Sequence, residues 1–154
     1  MSTFSIRPAR PEEAPRLTEI ALASKQHWGY PEAWMEAWRD GLTFTPDYIA
    51  AHTVQVATEA ADRPVACYVL EGITGEIQLE HVWVEPSAMG RGLGRQLVAH
   101  AVETARGLGG TTLLIDSDPN AAPFYERMGC ERVGSRRADV CGEHRELPQY
   151  RYSL

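Results

Sequence analysis

The sequence is poor in cysteine, has no long apolar run and carries no surplus of positive charge. Its three cysteines, Cys67, Cys130 and Cys141, are odd in number and fit no CxxC or zinc-ligand spacing, which excludes a disulfide framework and a zinc ribbon. Cys67 sits in an apolar run and is expected to be a small buried residue. No apolar stretch reaches the ~20 residues of a membrane-spanning helix. The start, Met1 to Pro8, lacks the apolar centre of a secretory signal, so the expected location is cytoplasmic, with no membrane partner. A net charge of −6 excludes general nucleic-acid binding. No repeat, low-complexity segment or linker interrupts the 154 residues, whose length and 44% hydrophobic content fit one domain, 1–154, with one core.

The charge is uneven. Residues 1–89 hold 13 acids and 6 bases, whereas residues 90–154 hold 8 acids and 9 bases. The acidic half is suited to attracting a cation, or is simply a solvated surface; both readings fit equally.

The chain reads as a mixed sheet with helices on its faces. A short strand at Phe4–Arg7 precedes a helix starting near Glu12, where Pro11 and acidic residues occupy the first turn, and ending near Ser24. His27-Trp28-Gly29-Tyr30 is an aromatic loop. Pro31–Trp38 is a second helix ended by Asp40-Gly41, and Thr45 caps a short helix through Ala51. Strands follow at Thr53–Glu59, Val65–Leu70 and Ile77–Val84, with a turn at Asp62-Arg63-Pro64 between the first two. Leu93, Leu97, Val98, Ala101, Val102, Ala105 and Leu108 form a helical stripe, ended by Gly109-Gly110. Thr112–Asp116 is a strand and Ala121–Met128 a short helix, with Gly129 as its C-terminal cap. Glu131–Arg136 and Gln149–Ser153 are the last strands.

The segment between the fourth strand and the long helix carries the chemistry. Gly90, Gly92 and Gly94 form a glycine loop that opens a helix, so backbone N–H groups and the positive helix end converge on one anion site. Three loop types compete. A Walker loop needs Gly-Lys-Ser/Thr, whereas this chain has Gly94-Arg95-Gln96. A dinucleotide loop needs G-x-G-x-x-G close behind its strand and an acid about twenty residues on; Asp116 is tempting as that acid, but the spacing here is G-x-G-x-G, five residues separate Val84 from Gly90, and no further βαβ units follow.

The third type matches. Met89-Gly90-Arg91-Gly92-Leu93-Gly94 resembles the Q/R-x-x-G-x-G/A loop of the GNAT superfamily of acyl-CoA-dependent N-acetyltransferases, with Met89 standing where that family carries Gln or Arg. Asn120, followed by Phe124-Tyr125 and Gly129, resembles the family's second motif at the expected separation. The resemblance covers residues 53–135 well. His27–Tyr30 and Gly142–Pro148 look like a bacterial branch of the family, to which the sequence attaches no acceptor. The resemblance implies an α/β (α+β) fold in a single GNAT-like domain, with a mixed, mostly antiparallel sheet of six to seven strands and helices on both faces. It implies acetyl-CoA as cosubstrate, no metal, a small-molecule or peptide amine as acceptor, and a homodimer as a family habit. The expected cofactor contacts are Val82, Trp83 and Val84 on the strand, Met89, Gly90, Arg91, Gly92, Leu93, Gly94 and Arg95 in the loop, and Asn120, Phe124 and Tyr125. Asn120 is implied to touch the pantetheine arm, unless it merely caps its helix, and Tyr125 to lie near the cofactor sulfur.

Amide formation from a thioester needs a deprotonated amine, donors for an oxyanion and a proton for the leaving thiolate. Glu80, mid-strand and on one face with Gln78 and Val82 in a regular strand, is the first choice for the base, acting directly or through a water. His81, on the opposite face, is the alternative should a bulge reverse the strand. Tyr125 is the expected acid, and a backbone N–H near Trp83 or Val84 the oxyanion donor. No cysteine sits in a nucleophile setting, which favours direct transfer over an acyl-enzyme. Trp28 and Tyr30 are candidates to line the acceptor pocket or cage a cation, while Trp34 and Trp38, one turn apart, read as core. Arg145 and Glu146 are candidates to reach the acceptor from the other side. The competing reading is a cofactor-binding sensor without turnover, which would keep the loop but need neither Glu80 nor Tyr125.

Overall fold

A computed structural model describes residues 4–154. Seven strands, β1 (Ser5–Pro8), β2 (Thr53–Glu59), β3 (Arg63–Glu71), β4 (Gly75–Val84), β5 (Gly110–Asp116), β6 (Glu131–Arg137) and β7 (Glu146–Ser153), form one sheet in the order β1-β2-β3-β4-β5-β7-β6. Every neighbouring pair is antiparallel except β4 and β5. The helices are α1 (Ala14–Gln26), α2 (Glu32–Leu42), α3 (Pro46–Ala51), α4 (Leu93–Gly107) and α5 (Ala122–Arg127).

The helices cover both faces of the sheet. β3 is central: Ala66, Tyr68 and Leu70 point to the face under α4, while Cys67 and Val69 point to the face under α1, α2 and α3. A strand buried on both sides must be continuously apolar, which is how Val65–Leu70 reads. The stripe of α4 is buried as its period requires, from Leu93 through Ala105. Leu17, Ile20, Met35, Phe44 and Ile49 fill the opposite layer. Among the described residues no helix is long and apolar enough to cross a membrane.

Several boundaries differ from the sequence reading. Gly41 does not end α2; the helix continues one residue so that Leu42 is buried, and the exposed Thr43 stops it. The turn between β2 and β3 occupies Ala60–Asp62, with Ala61 and Asp62 left-handed, so Arg63 and Pro64 belong to β3. Leu108 and Gly109 follow the end of α4, and Gly110 already pairs with Gly75 in the sheet. β7 begins at Glu146, three residues before the expected start; Pro148 is accommodated opposite Ser135 and its carbonyl accepts from the Ser117 N–H at 2.8 Å. The predicted cap holds: Thr45 Oγ1 accepts from the Tyr48 N–H at 3.1 Å.

Gly110 marks the tightest point of this packing. A Cβ there would lie 2.7 Å from Ile77 Cδ1 and 2.9 Å from the Ala105 carbonyl oxygen, and the carbonyl cannot move aside without disturbing α4. Gly110→Ala is expected to destabilise the fold by about 1–3 kcal/mol, as overpacking does. Chemical denaturation checks this, and an unchanged midpoint contradicts it.

Candidate active site

Pairing between β4 and β5 ends at Gln78 and Leu114, although β4 runs on to Val84 and β5 to Asp116. The two strands splay apart. The cause lies on the other edge of β4. Val69 pairs with His81 but Leu70 pairs with Leu79, so Glu80 is an extra residue with no partner on β3, a β-bulge. The bulge resets the alternation. Leu79, Val82 and Val84 face α4, while His81 and Trp83 face the α1–α3 layer. The expected grouping of Glu80 with Gln78 and Val82 on one face of a regular strand is therefore corrected.

The splay opens into a cleft of about 680 Å³. Glu80, Val82, Trp83 and Val84 line it from β4, Asn120, Phe124 and Tyr125 from the β5–α5 side, and Met89, Gly90, Gly92, Leu93, Gly94 and Arg95 from the glycine loop. N–H directions alternate along an antiparallel edge. Glu85 donates to the Val65 carbonyl at 2.8 Å, so the amides of Trp83 and His81 turn to β3, while those of Val84 and Val82 turn to the cleft. Of Trp83 and Val84, it is the Val84 amide that turns to the cleft.

The loop is anchored at both ends. At its start the Glu85 carboxylate receives Arg16 at 2.8 Å, Arg63 at 3.2 Å and Ser87 Oγ at 2.9 Å. Partial burial pushes its pKa up, but these donors outweigh burial and hold it down at about 2, so the anchor stays charged. At its end Gly92 precedes α4, and the first helical bond runs from the Gln96 N–H to the Gly92 carbonyl at 3.2 Å. The N–H groups of Leu93, Gly94 and Arg95 precede that bond and point out of the helix toward the cleft end. The Phe124 ring packs over this turn, 3.6 Å from where a Gly94 Cβ would sit. Arg91 departs from expectation: its side chain pairs with Glu59 at 3.5 Å and covers the Phe4 ring, outside the cleft. Only its backbone belongs to the loop.

Burial sorts the titrating groups. The Glu80 carboxyl opens to the cleft, whose walls remove part of its hydration and raise its pKa; like charges on Glu71 and Asp116 add to this and Arg136 opposes it. Tyr125 is buried, which raises its phenol pKa, with Cys130 and Asp118 contributing, so it keeps its proton at neutral pH. His81 lies among Phe44, Tyr48 and Trp83, accepts the Trp83 indole N–H at 2.9 Å, and is lowered to about 4 by burial. The bulge does not bring His81 into the cleft, and its imidazole is neutral.

The aromatic loop divides. Trp28 lines the cleft. Tyr30 does not, and the cations over the Tyr30, Trp34 and Trp38 rings are the chain's own Lys25 and Arg145. Arg145 is thus packed away rather than facing an acceptor, and Glu146 bonds to Ser135 and His144 on the surface. Asn120 is not the helix cap: Asp118 accepts the Asn120 N–H at 2.8 Å, while the Asn120 side chain donates to Tyr30.

Residues 14–130 match the acetyltransferase (GNAT) family. The chain belongs to that family. It is accordingly an enzyme, an acyltransferase of GNAT type that depends on acetyl-CoA. It is 30% identical over 141 residues to the peptidyl-lysine N-acetyltransferase YjaB of Salmonella typhimurium, covering 91% of this chain and 92% of that one. Its structure resembles that of a GCN5-related N-acetyltransferase from Rhodopseudomonas palustris, with a TM-score of 0.82, 27% identity and coverage of 100% and 98%. It also resembles the PaiA N-acetyltransferase of Thermoplasma acidophilum, solved with coenzyme A, with a TM-score of 0.73 over 99% and 100% of the chains; at 18% identity this speaks for the fold alone.

Sequence reasoning missed Ser24, Asp116, Asp118 and Arg127 in the lining of this GNAT cleft. Asp118 was within reach, as it directly precedes the Pro119-Asn120 of the second motif. Ser24 lies on α1, and no spacing connects it to the loop.

Gly92 adopts φ +76°, a left-handed conformation that costs other residues about 1–2 kcal/mol, whereas Gly94 is helical and a methyl there meets Phe124 at ordinary contact distance. Gly92→Ala is expected to lose about that much stability, and Gly94→Ala to lose little or gain slightly. Melting curves of the two variants check this, and equal losses contradict it.

Proposed function

We propose that the protein transfers an acetyl group directly from acetyl-CoA to the primary amine of a lysine side chain in a peptide, or of a similar cationic amine. One observation carries the reading: the splay between β4 and β5 brings Glu80 and Tyr125 into one cleft, with the glycine loop lining it as well. In this reading the loop amides grip the diphosphate, Asn120 meets the pantetheine arm and the exposed amides of Val82 and Val84 face the thioester. The amine class rests on the acidic flank formed by Glu80, Glu71 and Asp116, and on the activity named for the Salmonella relative.

Glu80 takes a proton from the incoming ammonium, whose free pKa is near 10, directly or through a water. The amine nitrogen then bonds to the thioester carbon as the carbonyl oxygen gains negative charge beside a Val84 or Val82 amide. The C–S bond breaks, and Tyr125 gives its proton to the departing sulfur. The nitrogen's second proton passes through water to the Tyr125 phenolate and Glu80 releases the first to solvent, so the products are amide, thiol and one proton. No cysteine lines the cleft among the described residues, which fits transfer without an acyl-enzyme. The reading extends to a cytoplasmic location, one transferase domain over 1–154 and the homodimer habit of the family.

A thiol-release assay with acetyl-CoA and a panel of lysine peptides, polyamines, amino acids and aminoglycosides tests the reading; coenzyme A binding without thiol release on any amine overturns it. Tyr125→Phe is expected to lower kcat more than tenfold with coenzyme A affinity kept, since general acid catalysis contributes roughly 10²–10⁴-fold. Wild-type turnover in that variant removes Tyr125 from the chemistry. Glu80 must be deprotonated to act, so the rate should rise with pH through a pKa above the ordinary carboxylate value. Glu80→Gln should abolish that acid-side limb, and an unaltered limb dismisses Glu80 as base.

A further inference from the structure

Tyr30 stands outside the cleft but between its two walls. Its loop, joining α1 to α2, carries Trp28, which lines the cleft and is 47% exposed. The opposite wall carries Asp118 and Asn120. The Tyr30 hydroxyl donates to the Asp118 carboxylate at 2.9 Å and accepts from Asn120 Nδ2 at 2.9 Å and from an Arg145 guanidinium N–H at 2.9 Å. One donated and two accepted bonds use the full capacity of a phenol oxygen. The Asp118 carboxylate also receives Lys25, the chain's single lysine, at 2.7 Å, and lies 3.5 Å from Arg145.

The network is largely shielded and rigidly framed, with Asn120 at its exposed edge. The side chains of Lys25, Asp118 and Arg145 are 11%, 12% and 10% exposed. The Tyr30 ring stacks on Trp34 at 5.7 Å and meets Trp38 edge-on at 4.9 Å, which fixes where the hydroxyl points. Its shielded charges hold one geometry, because leaving Lys25, Asp118 or Arg145 unpaired there is costly. It joins four segments distant in sequence: α1, the α1–α2 loop, the β5–α5 turn and the residue just before β7.

We propose that Tyr30 is a positioning residue: its hydroxyl aims the Asn120 amide into the cleft and sets the gap between the Trp28 wall and the Asn120 wall. This rests on the reading that the cleft takes acetyl-CoA, with Asn120 against the pantetheine arm. The acceptor wall and the cofactor wall then meet at one hub, and removing its single oxygen releases the Asn120 amide while Lys25 still ties α1 to Asp118.

Tyr30→Phe keeps the ring stack and deletes the hub. By calorimetry, coenzyme A affinity is expected to fall about tenfold, the scale of one hydrogen bond. Affinity for adenosine 3′,5′-bisphosphate, which lacks the pantetheine arm, should stay at the wild-type value. The KM for acetyl-CoA should rise with the coenzyme A dissociation constant, with a smaller change in kcat. Asn120→Ala should show the same loss, and the double variant no more than Asn120→Ala alone. Equal losses for both ligands, which a general weakening of the fold would produce, overturn the proposal. So does full additivity in the double variant, or coenzyme A binding by Tyr30→Phe at wild-type strength. A wild-type protein that binds no coenzyme A overturns the cleft reading and this proposal together; normal wild-type binding with an indifferent Tyr30→Phe overturns this proposal alone.

Discussion

The unpaired residue at Glu80 is the constraint on which the rest of the site depends. Inserting one residue into β4 opposite β3 bends the strand, and the pairing of β4 with β5 then stops four residues into their register. A continuous sheet would have covered the amides of Val82 and Val84 with β5 carbonyls, leaving no cleft and no free donors. The same insertion turns His81 and Trp83 toward the α1–α3 layer and Val82 and Val84 toward α4. One local irregularity thus makes the opening, chooses which amides face it and places a carboxylate at its edge.

The surroundings of that opening divide proton chemistry by degree of burial. His81, deep among aromatics, is neutral and bonded to Trp83. Tyr125, buried on the opposite wall, retains its proton. Glu80, facing the cleft with Glu71 and Asp116 nearby, has its pKa raised while remaining accessible. A proton acceptor and a proton donor on facing walls are what amide formation from a thioester asks for. The anchoring is ionic where rigidity matters: Glu85 ties the loop to α1 and β3, and Asp118 ties α1 to the β5–α5 turn.

Much of this was legible in the order of residues. The buried stripe of α4 shows as a 3.6-residue period, the two-sided burial of β3 as an unbroken apolar run, and the cap at Thr45 as a Thr-Pro-Asp triplet. The loop and the Asn120–Gly129 segment announce themselves because backbone geometry there demands particular residues. The bulge does not: Leu79-Glu80-His81-Val82 holds no glycine or proline, and the extra residue is set by how β4 must pack against two layers at once. Gly41 misled because tertiary burial of Leu42 outweighs the local preference to stop a helix. The Tyr30 hub joins positions 88 to 115 apart in the chain, a distance over which no periodicity carries information.

The most direct test is amide-resolved nuclear magnetic resonance of the ¹⁵N-labelled protein titrated with coenzyme A. The account requires the largest saturable shifts at the amides of Val82 and Val84 and at Gly90 to Arg95, with α2 and β1 little changed. Saturable shifts confined to other elements, or none at millimolar ligand on folded protein, would contradict it.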